Sequence, residues 1–168
     1  MTELDMFDSG NHIVRIIFAE TAAHMTEAKQ LFREYENFLD IDLCFQGFEE
    51  ELAGLPGQYA PPQGTLLLAL TDEEVSGCVA VRKFDTNICE MKRLYVRPQY
   101  RGYKIGKMLA EEIIDEAIKL GYSTMLLDTL AHLKKAMALY QSLGFRERDP
   151  YYHNPLAGVI YWELDLLS

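Results

Sequence analysis

The chain has 168 residues, and 16 Lys and Arg stand against 26 Asp and Glu, a net charge of −10. That excess of acid excludes a broad basic face for nucleic acid and disfavours docking on an anionic membrane. The length suits one domain with a sizeable core.

Residues 1–11, which begin MTELDMFDSG, are acidic and lack the apolar run of a signal peptide; they read as a flexible tail, with residues 12–168 as a single domain. The β-branched run HIVRIIFA (12–19) predicts a strand. Apolar residues at Met25, Ala28, Leu31, Phe32, Tyr35 and Leu39 recur at helical spacing, with Thr21 or Thr26 available as a cap. A short helix is expected around 46–54, then a loop at GLPGQYAPPQG (54–64). Residues 65–84 read as two strands joined at Asp72-Glu73-Glu74, and 87–96 as a third antiparallel neighbour.

From Lys104 to Leu120, Ile105, Met108, Leu109, Ile113 and Ala117 share one helical face, and Gly121 ends the helix. STMLLDT (123–129) reads as a buried strand, parallel to the one before the helix. A helix from Leu133 to Leu143 and two closing strands around PYYHNPLA complete the chain. The expected fold is mixed α/β: a sheet of about six to seven strands, antiparallel in its first half with a parallel pair at the centre, and helices on both faces.

Cys44, Cys78 and Cys89 form no C-x-x-C pair, which argues for reduced thiols in the cytoplasm. The histidines His12, His24, His132 and His153 are too scattered for a metal site, so no metal is expected. Cys89 reads as core, and His153 as a weak candidate for lining an acceptor pocket.

The densest chemical signal is EMKRLYVRPQYRGYKIGKML (90–109). A strand hands over to a helix at Arg101-Gly102-Tyr103-Lys104-Ile105-Gly106. The first N–H groups of a helix lack partners and carry partial positive charge. Gly102 and Gly106 let a ligand approach the backbone, and Arg101, Lys104 and Lys107 add positive charge. The segment is either a pyrophosphate seat or an ordinary turn. It lacks the Lys-Ser/Thr pair of a Walker loop and the G-x-G-x-x-G of a dinucleotide fold.

Val96-Arg97-Pro98-Gln99-Tyr100-Arg101-Gly102-Tyr103-Lys104-Ile105-Gly106 resembles motif A of the GNAT superfamily, the Gcn-type N-acetyltransferases. Lys104 stands where that motif usually has its middle glycine. Residues 136–145, AMALYQSLGF, resemble motif B at Ala136, Leu139, Tyr140, Gly144 and Phe145. Leu133 stands where many relatives carry an asparagine that contacts pantetheine. The two motifs cover residues 87–147.

The resemblance implies an acyl-CoA N-acyltransferase fold, with a splayed central sheet, and transfer of an acetyl or other acyl group from acetyl-CoA to the amine of a small molecule or peptide. It implies that Leu94, Tyr95 and Val96 present backbone groups to pantetheine, with an N–H near Leu94 stabilising the oxyanion. It places the pyrophosphate at Arg101, Gly102, Tyr103, Lys104, Ile105, Gly106 and Lys107. It suggests Glu90 as the base, directly or through water, and Tyr140 as the acid for the leaving thiolate. Plain alternation puts Glu90, Lys92 and Leu94 on one face of the strand, unless a bulge changes the parity. A non-catalytic acyl-CoA-binding or sensing module is the alternative; it would keep residues 101–106 and not need Glu90 or Tyr140. The acceptor is expected between residues 22–64 and 149–157, where tyrosines, Phe45 and Phe48 could form an aromatic pocket. Acceptor identity, acyl length and a homodimer stay open.

Overall fold

The computed structural model describes residues 3–9 and 11–167. Its strands are β1 (Glu3–Ser9), β2 (His12–Phe18), β3 (Thr65–Thr71), β4 (Glu74–Asp85), β5 (Ile88–Val96), β6 (Thr124–Leu130), β7 (Arg146–Arg148) and β8 (Val159–Asp165). The helices are α1 (Ala22–Leu39), α2 (Phe48–Ala53), α3 (Ile105–Lys119) and α4 (Lys134–Ser142). All eight strands form one sheet in the order β1-β2-β3-β4-β5-β6-β8-β7. Every neighbouring pair is antiparallel except β5 and β6.

Local chemistry explains the boundaries. Thr21 caps α1 by accepting from the His24 N–H at 3.1 Å. His24 Nδ1 accepts in return from the Thr21 N–H at 3.2 Å, taking the place of the usual glutamate of a capping box. Asp72 and Glu73 join β3 to β4 at φ 49° and 71°, the left-handed pair whose twist matches a two-residue hairpin. α3 buries Ile105, Leu109, Ile113 and Ala117, as its periodicity requires.

The sheet separates two apolar clusters. Leu67, Val79, Met91 and Leu127 pack on α3 residues on one face. Leu66, Leu68, Ala80 and Tyr95 pack with Leu31, Phe32, Phe48 and Leu52 on the other. Every residue of β3 is therefore buried.

The sheet has one strand more than expected, because residues read as tail form β1. Its register with β2 includes Met6↔Arg15 and Asp8↔Ile13. The acidic composition of this segment is what resembled a tail. Among the described residues no helix is long and apolar enough to cross a membrane.

Candidate active site

The parallel pairing of β5 with β6 is short. Ile88, Cys89 and Glu90 lie opposite Thr124, Met125 and Leu126, and the register ends there. Beyond it the two strands diverge and leave a cleft. A bulge falls in the same stretch of β5: Cys78 opposes Tyr95 and Ala80 opposes Lys92, so one β4 residue faces two on β5. Arg93 takes φ 61° to make it.

The bulge reverses the strand's parity. Cys89 and Met91 pack in the α3 cluster before it, and Leu94 and Val96 do so after it. Tyr95 packs on the α1 side. Glu90, Lys92 and Leu94 therefore do not share one face, as plain alternation predicted. Two consecutive cationic residues, Lys92 and Arg93, come to line the cleft, which also meets Tyr35, Gln46, Asp128 and Tyr140 and encloses about 50 Å³.

At the mouth, the chain passes from Val96 through a helical turn at Pro98–Tyr100 to α3. Gly102 has φ 96° and Lys104 φ 63°. Lys104 thus occupies the left-handed conformation that the glycine of the motif would adopt without strain. No side chain caps α3, so its first-turn N–H groups keep their partial positive charge. A Cβ added at Gly106 would meet only Val96 Cγ2, at 3.8 Å. Lys104 and Lys107 are exposed. The Arg101 side chain turns back instead: Nε donates to the Val96 carbonyl at 3.0 Å, and the guanidinium lies 4.5 Å from the Phe38 ring centre. Tyr95 is buried, and Tyr103 stacks edge-on with His12 at 4.6 Å.

Glu90 is 1% exposed. Arg82 Nε donates to Oε1 at 2.9 Å and the Tyr151 hydroxyl to Oε2 at 2.6 Å. Burial pushes the carboxyl up, but the Lys92 and Arg82 charges and the two hydrogen bonds outweigh it and hold Glu90 below the usual carboxylate range. Burial therefore does not make Glu90 a stronger base. It does not line the cleft cavity either.

Tyr140 lies in the cleft wall, 7% exposed, with its ring 5.7 Å from Phe145. Burial, with Tyr35 and Asp128 nearby, pushes its phenol up and keeps it protonated. Leu133 also lines the cleft and offers no side-chain cap to α4, unlike an asparagine there.

Sequence reasoning missed Asp128. β6 carries it to the cleft, across from β5. Its Oδ2 accepts from the Tyr152 hydroxyl at 2.5 Å and from Asn154 at 3.4 Å. Oδ1 accepts no hydrogen bond from the described residues. Its place inside an apolar strand, TMLLDTL, was the available signal, since a charge there needs a reason. His153 is exposed and its neighbour Asn154 lines the cleft instead. Phe48 is core, and the Phe45 side chain lies outside the described residues.

The model of the acetyltransferase (GNAT) family matches residues 25–145. An N-acetyltransferase of Schizosaccharomyces pombe, itself described as uncharacterized, is 46% identical over 144 residues, 84% of this chain and 88% of that one. An acetyltransferase structure from Streptococcus agalactiae superposes with a TM-score of 0.76 at 22% identity, covering 95% of this chain and 99% of the other. A putative acetyltransferase from Salmonella typhimurium, solved with acetyl-CoA, has a TM-score of 0.69 at 20% identity over 91% and 94%. The family match spans both motifs, the splayed strands and the bulge, and the chain belongs to the GNAT family of acetyltransferases.

Proposed function

We propose that the protein transfers an acetyl group from acetyl-CoA to an amine held in the β5–β6 cleft. The observation that carries this reading is the end of the parallel pairing at Glu90 and Leu126, beside the bulge. Leu94 has no β4 partner in register there, and we assign its N–H to the thioester carbonyl. Pantetheine runs along Leu94, Tyr95 and Val96, and the pyrophosphate sits on the first turn of α3 with Gly102 and Gly106 beside it. Arg101 shapes the handover by its bond to the Val96 carbonyl, while Lys104 and Lys107 supply long-range positive charge.

The amine attacks the thioester carbonyl carbon. A C–N bond forms and the C–S bond breaks; the two proton transfers to assign are one from the ammonium to a base and one to the thiolate, and the nitrogen's second proton restores the acid that protonates the thiolate. Tyr140 supplies the thiolate's proton: it is protonated, lines the cleft, and its hydroxyl makes no hydrogen bond to another described residue. For the first, two carboxylates compete. Glu90 accepts bonds on both oxygens and acts only through water and the Tyr151 hydroxyl; Asp128 lines the cavity with Oδ1 uncommitted. We assign direct acceptance of the amine proton to Asp128. We give Glu90 the part of a fixed charge that anchors Arg82 and Tyr151 at the point of divergence.

The three cysteines are unpaired, which supports a cytoplasmic setting. The test is release of free thiol from acetyl-CoA across a panel of small amines and peptides. Acceptor-dependent release supports the reading, and coenzyme binding without turnover on any amine returns the protein to the binding-module alternative.

A further inference from the structure

Five charges stand near the cleft in addition to Asp128, and four of them are paired with one another. Arg93 is 3% exposed and makes two hydrogen bonds to Glu51, at 2.9 Å and 3.0 Å. Glu90 is paired with Arg82. Lys92 is different. It is 6% exposed, and its Nζ donates to one group, the neutral Gln46 Oε1, at 3.1 Å. No carboxylate of the described residues lies within ion-pair distance of it.

An ammonium has three donors, and a buried one is costly without an anionic partner. Burial and the adjacent Arg93 charge accordingly push the Lys92 pKa down, against the opposing pull of the Glu90 and Asp128 carboxylates beyond ion-pair distance. An isolated buried lysine would be better replaced by a methionine if its only task were to pack. Lys92 also lines the same cavity as Leu94, Asp128 and Tyr140, where the amine must react. The cavity wall therefore presents one positive charge on β5 and one carboxylate on β6, each without a salt-bridge partner among the described residues.

We infer that the acceptor carries a carboxylate beside its amine, as an amino acid does, and that Lys92 and Gln46 bind that carboxylate while Asp128 faces the amine. The inference rests on the acyl-transfer reading and names its substrate class. Gln46 fits the task because its NH₂ remains a donor while its carbonyl holds Lys92, so the pair meets both carboxylate oxygens. A phosphate, with its larger charge, would call for a second free cation, and Arg93 is already committed to Glu51. A simple hydrophobic amine would leave Lys92 buried and unmatched.

The experiment compares amino acids with their α-amides and their decarboxylated amines. Thiol release from acetyl-CoA is measured for each. Binding of the same compounds to the protein loaded with free coenzyme A is measured by calorimetry. The free acid should be preferred over its amide and its amine by about tenfold to a hundredfold in kcat/KM, the size expected of hydrogen bonds to a charged group. Lys92→Met should erase that preference and weaken binding of the acid to a similar extent, with coenzyme affinity retained as evidence of folding. Lys92→Arg should keep part of the preference. Equal use of acid, amide and amine by the parent protein would overturn the inference and leave acyl transfer standing, as would a preference that survives in Lys92→Met. Lys92-dependent binding of the acids without thiol release would support the carboxylate site and overturn the acyl-transfer reading. Neither binding nor release with any compound would overturn both.

Discussion

The two sides of β5 are built from different materials. On the α3 side, the coenzyme seat we propose consists of backbone groups at Leu94–Val96 and the uncapped first turn of α3, all within a stretch of consecutive residues. On the α1–α2 side, the acceptor wall we propose consists of side chains from five distant segments, among them Tyr35, Gln46, Lys92, Asp128 and Asn154. A backbone seat should tolerate side-chain change, as with Lys104 in a left-handed position. A side-chain wall does not, because each charge in it is matched or mismatched by a named partner. Chemistry shared across a family suits the first side, and choice of acceptor suits the second.

The largest expected effect separates the two carboxylates. Asp128→Asn should lower the single-turnover rate by about 10²–10⁴-fold, the usual worth of a positioned base, with coenzyme affinity unchanged. Tyr140→Phe should lower it in the same range through the collapse step. Glu90→Gln should lose less than about tenfold. A large loss in Glu90→Gln with near-parent Asp128→Asn would return the base to β5 and reverse our assignment.

Next in size is the seat itself. Gly106→Trp should weaken coenzyme A by at least about a hundredfold in a folded protein, because the ring would fill the space before the first turn of α3. Calorimetry showing parent-like affinity would move the pyrophosphate elsewhere.

A smaller effect concerns acid stability. Glu90 is held below its ordinary pKa, so its contribution to stability is complete above the unfolded carboxylate pKa and is lost as pH falls through the folded one. Glu90→Gln should cost about 1–3 kcal/mol at neutral pH, since Arg82 is partly exposed and keeps water as a partner. The difference from the parent should shrink as the pH is lowered below the usual carboxylate range. Urea unfolding at neutral and acid pH checks the sign, and a gap that widens in acid would contradict it.

The smallest effect is at Lys104. Lys104→Gly removes a left-handed side chain and loosens the unfolded chain, two changes of about 1 kcal/mol that oppose each other. Stability should stay within about 1 kcal/mol, and coenzyme affinity should be equal or better. A marked loss of affinity at moderate salt would show that the ammonium grips phosphate directly.

This contrast also explains what could be read from the residues alone. The helices α1, α3 and α4 and the β3–β4 hairpin follow from local periodicity and turn chemistry. So does the handover at residues 97–106, to which we assign a function carried by neighbouring backbone. The parity of Lys92 and Leu94 depends on the bulge at Arg93, an ordinary residue at φ 61° that no composition announces. Asp128 acquires meaning only when β6 is brought beside β5 and then diverges from it. The charge state of Glu90 was not legible for a related reason: besides burial and the nearby Lys92, it depends on Arg82 and Tyr151, eight and 61 residues away.

The central claim is that the thioester lies against β5 where its pairing with β6 has ended. Amide hydrogen exchange, followed residue by residue by NMR with and without acetyl-CoA, tests it most directly. Bound acetyl-CoA should slow exchange at Leu94 and at the first-turn amides of Ile105, Gly106 and Lys107, while the amides of β1 and β7 exchange as before. Protection of α3 with no change at Leu94 would leave the coenzyme seated but its thioester elsewhere, and would contradict the account.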